Sequence, residues 1–204
     1  MFTTKNNDGQ AQSAGGMSKY LGIGNFKLKI NSMEAIKANA TDNYKVRFNV
    51  ETEPIAVAGF VAEDGHYGQI GRVDTVYLAG ENQISEFTTL IATLATKIGV
   101  KDAVDAVTAS NVPDYVAAIS PILTGHYFFG RLNGEEYDRG QDETGKQKKP
   151  GLRLKWSRYG TFASMEEGIE KLKPVDESNK YDLKKLEVNT STSVIDTSAV
   201  NSAF

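Results

Sequence analysis

The sequence predicts a mainly β domain that carries one helical insertion. Several segments alternate apolar and polar residues with a period of two, which is typical of strands with one buried face. Between the third and the fourth of these segments, apolar residues recur at helical spacing instead. A chain of 204 residues is long enough to bury a hydrophobic core, and one domain is the expected number.

The strand pattern occurs five times. In the second strand, apolar residues at every second position leave Lys45 and Arg47 on the opposite face. The pair Asn133-Gly134 follows the fourth strand and predicts a type I′ hairpin turn, with 135–139 as the return strand. The five predicted strands are 26–30, 44–50, 70–78, 126–132 and 152–156.

The helical stripe begins at Ile84 and ends at Ile98. Asn82 is placed to cap its start, and Gly99 stands where a left-handed residue ends a helix. Shorter helices are expected around 101–109 and, after a proline in the first turn, around 114–119. The capping-box pattern Ser164-Met-Glu-Glu167 predicts one more short helix, which Pro174 would end.

Five β segments with a helical block at about 82–120, between strands 3 and 4, form the order of a five-stranded Greek-key barrel of the OB type. We expect this domain to span residues 20–186. Residues 1–19 are polar and rich in Gly, Ser and Asn, and residues 187–204 are rich in Ser, Thr, Asn and Val. Both ends are therefore predicted to be disordered.

Composition argues against several classes of protein. The chain has no cysteine, no apolar run of about 20 residues and no apolar signal-peptide core, so we expect a cytoplasmic protein without a membrane segment. Its two histidines, His66 and His126, lack further metal ligands at suitable spacing, and the common nucleotide-binding and hydrolase motifs are missing. A protein with no enzymatic activity and no cofactor or metal is the expected result.

The most distinctive feature is a basic segment. Residues 144–162 contain six cations and no acid, interleaved with aromatic residues, although the whole chain has a formal net charge of −3. Single-stranded nucleic acid is bound by such a combination, because cations neutralise phosphates and rings stack on bases. The candidate nucleic-acid-binding residues are Lys45, Arg47, Tyr127, Phe129, Arg131, Arg153, Lys155, Arg158 and Tyr159.

Alternatives exist for these residues. A cationic edge strand also deters aggregation, and alternating aromatics often belong to a core. Trp156 shares a face with two leucines and fits the core as well as a ligand site. In the fourth strand we expect Phe128 and Leu132 to enter the core, which would leave Tyr127, Phe129 and Arg131 facing outward.

In the order of its predicted elements and in the types of residue that they contain, the chain resembles the phage-type single-stranded DNA-binding proteins with an OB fold. The resemblance rests on the polar arm, the strands at 26–30 and 44–50, the helical insertion, Tyr127-Phe-Phe-Gly-Arg131, Leu152-Arg-Leu-Lys-Trp156 and the terminal Phe204. It implies protection of single-stranded DNA, without strong sequence preference, during phage DNA replication or recombination.

The same resemblance implies that the C-terminal tail recruits replication or recombination proteins, although the last nine residues hold one acid rather than a cluster. It would place the protein in the host cytoplasm, with oligomers possible. A viral structural or assembly protein that uses its β domain for protein contacts is the alternative, and an accessory subunit of an enzyme is a third.

Overall fold

The computed structural model describes residues 20–52, 68–157 and 160–186, which form a closed five-stranded barrel. Neighbouring strands are antiparallel along β1-β2-β3, parallel between β3 and β5, and antiparallel from β5 through β4 back to β1. The predicted OB-like barrel with a helical block between strands 3 and 4 is confirmed. The strands are β1 (Gly24–Lys37), β2 (Tyr44–Glu51), β3 (Ile70–Asp74), β4 (Tyr127–Tyr137) and β5 (Gly151–Trp156).

Strand β1 is longer than the predicted strand 26–30 because it pairs with two neighbouring strands. Its first half pairs with β4, from Gly24 opposite Leu132 to Lys29 opposite Tyr127. Its second half pairs with β2, and the register shifts between Ile30 and Ser32. Such a bulge bends a strand and increases its twist, which helps a five-stranded sheet close on itself.

The barrel interior contains most of the apolar side chains that the alternation predicted, although Leu152 near the start of β5 is exposed. Each fully buried Val, Leu, Ile or Phe contributes about 1.5–3 kcal/mol relative to exposure. Trp156 is half-buried and packs against this core, with its ring centroid 5.5 Å from that of Phe48 and 4.9 Å from that of Phe162, both in edge-on contacts. The inward residues of the strands are Phe26, Leu28, Ile30, Val46, Phe48, Val50, Val73, Phe128, Leu132 and Leu154.

Three helices form the block between β3 and β4: α1 (Glu81–Lys97), α2 (Lys101–Asp105) and α3 (Val112–Leu123). In the predicted stripe of α1, Phe87, Ile91, Leu94 and Ala95 are buried and Leu90 is half-buried, while Ile84 in the first turn is exposed. Gly99 has φ +77° and donates to Thr96 O, and Val100 N donates to Ala95 O, so the helix ends as predicted at a left-handed glycine.

The helix starts differ in part from the prediction. Gly80, with no side-chain cap, precedes α1, so Asn82 is not its cap. Helix α3 begins earlier than expected because the Asn111 side chain accepts a hydrogen bond from Asp114 N. It packs on β1, where Met33 N donates to Ser120 Oγ at 3.1 Å. Among the described residues, none of the helices combines the length and apolar character that crossing a membrane requires.

The predicted hairpin at Asn133-Gly134 is wrong. Strand β4 continues through both residues to Tyr137, and neither has a positive φ. The glycine is required for close packing instead, since a Cβ at position 134 would lie 2.6 Å from Leu152 Cδ1 and 2.7 Å from Ile23 Cγ2. The connection to β5 is the loop 138–150, which follows the true end of the strand.

The predicted helix at Ser164 is also wrong, although its capping box forms. Ser164 N donates to Glu167 Oε2 at 2.8 Å, and Glu167 N donates to Ser164 Oγ at 3.2 Å. Gly168 then adopts φ +77°, which interrupts the turn and leaves only a 3₁₀ helix at Ile169–Lys171. Two short strands complete the sheet, β6 (Phe162–Ala163) and β7 (Leu183–Lys184), both paired with β4. The predicted arm and tail lie outside the described residues.

Candidate nucleic-acid interface

The side chains that alternate away from the core form one connected surface, which we call the outer face. It follows the strand order β4-β1-β2-β3-β5, and seven of the nine predicted binding residues alternate toward it, although one of them, Arg131, is buried there. The sequence positions come together because strand pairing joins segments up to about a hundred residues apart. The outer face includes Lys27, Lys29, Glu34, Lys45, Arg47, Asn49, Glu51, Arg72, Asp74, Tyr127, Phe129, Glu135, Arg153 and Lys155.

Tyr127 and Phe129 lie beside two lysines of β1. The register places Lys29 opposite Tyr127 and Lys27 opposite Phe129. The two ammonium groups lie 5.3 Å (Lys27) and 5.7 Å (Lys29) from the centroid of the Tyr127 ring, within the range of a cation–π contact. Both aromatic side chains are half-buried, so part of each ring is accessible.

Sequence reasoning missed these two lysines. The predicted strand 26–30 already contained the signal, because its alternation places Lys27 and Lys29 on the face opposite the apolar residues. Lys29 also forms an ion pair with Glu51 at 2.7 Å, and this hydrogen bond raises the pKa of Lys29 above its ordinary value. The lysine is therefore positively charged throughout the physiological pH range.

On β2 and β3, two predicted cations share one carboxylate. Arg47 donates from Nε to Asp74 Oδ1 at 2.7 Å and from Nη2 to Oδ2 at 3.0 Å, and Lys45 Nζ lies 2.5 Å from Oδ2. Burial raises the pKa of Asp74, but the hydrogen bonds from Arg47 and Lys45 outweigh it and hold the pKa below its ordinary value. The cluster therefore carries one net positive charge at neutral pH.

Strands β3 and β5 add an arginine pair to the outer face. Val73 pairs with Leu154 in parallel, so the preceding residues, Arg72 and Arg153, occupy neighbouring positions on the outer face. The Arg153 guanidinium also lies over the ring of Tyr137, 5.4 Å from its centroid. Arg72 was missed by the sequence analysis, since Gly71 obscures the alternation of this short strand.

The charge of Lys155, also on β5, is balanced within the sheet. Its ammonium forms an ion pair with Glu135, which Lys184 also contacts at 3.0 Å. Hydrogen bonds from Lys155 and Lys184 lower the pKa of Glu135 to about 2. Of the two predicted cations on β5, Arg153 is thus the one that extends the positive charge of the outer face.

The prediction that the Arg131 side chain faces a ligand is wrong, because the side chain is buried. It is only 8% exposed, although it lies on the predicted side of β4. Residues 173–182, which we call the strap, cross over this part of the strand. The guanidinium donates to Asp182 Oδ1 at 2.6 Å, to Ser157 Oγ at 2.5 Å and to Lys173 O at 3.0 Å. A buried guanidinium is stable only with such partners, and their contacts leave it unavailable to a phosphate.

The loop 138–150 projects beyond the end of β4 and β5. Asp142 Oδ1 accepts hydrogen bonds from Thr144 N at 2.9 Å and Lys146 N at 3.0 Å, and Lys148 N donates to Gly140 O at 2.9 Å. These bonds hold a local turn within an exposed loop. The loop carries four exposed cations, Arg139, Lys146, Lys148 and Lys149, together with three acids, Asp138, Asp142 and Glu143.

The remaining predicted site residues, Arg158 and Tyr159, lie outside the described residues. Within the described ranges, no group of three or more His, Asp or Glu side chains is arranged to hold a metal ion. No protein-family model matches the chain, and no curated protein matches its sequence. The fold and the outer face therefore define the class as an OB-like barrel with a cationic, partly aromatic wall.

Proposed function

We propose that this protein binds single-stranded DNA without strong sequence preference. The observation that carries the proposal is the arrangement of Tyr127 and Phe129 beside Lys27 and Lys29 on the outer face of an OB-like barrel. Barrels of this type bind oligonucleotides on the face of strands 2 and 3 and with the loop between strands 4 and 5. Here that face holds Arg47, and the loop carries four cations against three acids, a small net positive charge that suits the same ligand.

A base stacked on the Tyr127 ring would contribute more binding free energy than the cation–π contact that it displaces. An exposed cation–π contact is worth about 0.5–1 kcal/mol. A base stacked on an aromatic ring contributes about 1–3 kcal/mol. When a base covers the ring, the Lys27 ammonium can turn to an adjacent phosphate, while Lys29 keeps Glu51 as a partner for its charge.

The same contacts account for the lack of sequence preference. Every base has a π face, and lysine and arginine bind the phosphate backbone whatever the base. The formal net charge of −3 does not oppose binding, because the outer face as described above holds seven cations and four acids, a local excess of positive charge.

A labelled oligo-dT titration, followed by fluorescence anisotropy at several salt concentrations, tests the proposal. The variant Lys27→Gln/Lys29→Gln removes two cations from the outer face, and Lys101→Gln/Lys185→Gln removes two exposed lysines elsewhere as a matched control. For single strands, the slope of log affinity against log salt changes by about 0.7 for each phosphate that the protein no longer neutralises. We expect weaker binding and a flatter slope for the first variant only.

Alanine substitution of Tyr127 or Phe129 should each cost about 1–3 kcal/mol of binding free energy with little loss of stability. Equal affinity and salt slope in the two lysine variants would contradict the proposed interface. If the unmodified protein fails to bind oligo-dT even at low salt, the proposal is wrong, and the structural or assembly role becomes the better hypothesis.

We extend the proposal to protection of single-stranded DNA during phage DNA replication or recombination, in the host cytoplasm. The support is the resemblance to phage-type single-stranded DNA-binding proteins in the order of the strands and in the types of residue that they contain. Partner proteins engaged through the C-terminal tail belong to the same proposal.

A further inference from the structure

Tyr77 lies beside the first residues of β2, whereas Tyr127 lies near the last residue of β2, on the other side of Lys29. Like the Tyr127 ring, the Tyr77 ring has a lysine ammonium group close to it. Its side chain is 44% exposed, and Lys45 Nζ lies 6.0 Å from the centroid of its ring. The residue belongs to the segment that follows β3, ahead of the helical block. Lys45 is itself held by Asp74, so the cation beside the ring is fixed in place.

The backbone around Tyr77 is anchored to β2. Thr75 N donates to Val46 O at 2.9 Å, and Leu78 N donates to Tyr44 O at 2.7 Å. Leu78 is buried in the core directly after the exposed tyrosine. The ring is therefore carried by a segment that is attached on both sides, and it needs no large rearrangement to meet a ligand.

The two tyrosines flank a strip of the outer face in which four cations (Lys29, Lys45, Arg47 and Arg72) outnumber three carboxylates (Glu34, Glu51 and Asp74). Glu51 at the end of β2 lies opposite Lys29, whose other neighbour is Tyr127. Six residues of strand separate Glu51 from Lys45, which corresponds to roughly 20 Å at about 3.3 Å per residue. Between these ends, Arg47 and Arg72 lie on the outer face, the latter opposite Asn49.

We propose that Tyr77 is a second base-stacking platform and that a single strand lies along β2 between Tyr77 and Tyr127. Lys45 acts as a positioning residue for the Tyr77 ring. The inference rests on the proposed function and adds the path of the strand. The roughly 20 Å of β2 between Glu51 and Lys45 suits about four nucleotides, the lower end of the range of site sizes for one OB fold.

A length series of oligo-dT, from about 2 to 16 nucleotides, tests the path in the full-length chain. In the unmodified protein, affinity should rise steeply until the oligonucleotide spans both platforms and more slowly beyond that length. Tyr77→Ala should weaken binding of the longer oligonucleotides about tenfold and remove the steep rise. Tyr77→Phe should behave as the unmodified protein, because stacking requires the ring and not the hydroxyl.

Tyr181→Ala is the matched control. Tyr181 is also exposed, and Lys180 Nζ lies 5.4 Å from its ring centroid, but the residue belongs to the strap. We expect it to leave affinity and length dependence unchanged. Unchanged binding of Tyr77→Ala, or an equal loss in Tyr77→Ala and Tyr181→Ala, would overturn the second platform while oligo-dT binding by the unmodified protein still supports the proposed function. Failure of the unmodified protein to bind would instead refute both.

Discussion

Replacement of Arg131 by methionine should destabilise the fold and leave the proposed nucleic-acid interface intact. The guanidinium is buried and donates to the Asp182 carboxylate, to Ser157 Oγ and to the carbonyl oxygens of Lys173 and Pro174. Methionine fills most of the volume but supplies no donor. Asp182 would keep its hydrogen bond from Asp176 N at 3.0 Å and lose its charge partner.

The expected cost is about 3–5 kcal/mol of unfolding free energy, since removal of one partner leaves a buried charge uncompensated. For a chain of this size, each kcal/mol lowers Tm by about 2–4 °C, so the melting temperature should fall by roughly 6–20 °C. Urea denaturation and thermal melting measure both quantities. Arg153→Met, at an exposed position of the same sheet, is the control and should change stability by less than about 0.5 kcal/mol.

A double-mutant cycle identifies the cause. Asp182→Asn added to Arg131→Met removes the uncompensated charge, so the double variant should be more stable than the sum of the two single effects. If Arg131→Met leaves stability unchanged and instead weakens oligo-dT binding, the arginine faces the ligand and the structural role of the strap is refuted.

Two further predictions concern the barrel wall. Because the pKa of Glu135 is about 2 in the folded protein and about 4.3 in an unfolded chain, its ion pairs stabilise the fold above about pH 4.3, and this contribution is lost as the pH falls towards 2. Glu135→Gln should therefore cost about 1 kcal/mol in urea denaturation at pH 7, a discounted value for partly exposed pairs, and a difference that did not shrink in acid would contradict this assignment. Gly130→Ala should destabilise by about 1–3 kcal/mol, since its Cβ would lie 2.9 Å from Leu28 Cδ1 and 3.1 Å from Trp156 Cζ3 in the core. Gly134→Ala should cost less in the same measurement, because the side chains it meets are only partly buried, and the reverse order would show that the packing is misassigned.

Local periodicity determined which faces of the strands are buried. Alternation at 44–50 and the choice of Phe128 and Leu132 as core residues both agree with the structure, because successive side chains of a strand point to opposite faces. The helical stripe and its end at Gly99 were predictable for the same reason, since a helix places residues three and four apart on one side.

Other features depend on contacts between distant parts of the chain. No local pattern distinguishes a glycine that forms a turn from one that another strand approaches closely, so Asn133-Gly134 indicated a hairpin where β4 continues as a strand. Likewise, alternation predicts that Arg131 points away from the barrel but cannot show that the strap, with Asp182 some fifty positions later, covers it.

The composition of the outer face was decided at the same level. The alternation of the first strand could have predicted that Lys27 and Lys29 lie on the outer face. Their contact with Tyr127, however, requires β1 to pair with β4, about a hundred residues later in the chain. The position of Tyr77 beside Lys45 similarly depends on the segment after β3, which continues alongside β2. Periodicity assigns a residue to a face, whereas strand register and the segments that cover the sheet determine its neighbours and its access to solvent, because both arise from pairing that no single segment encodes.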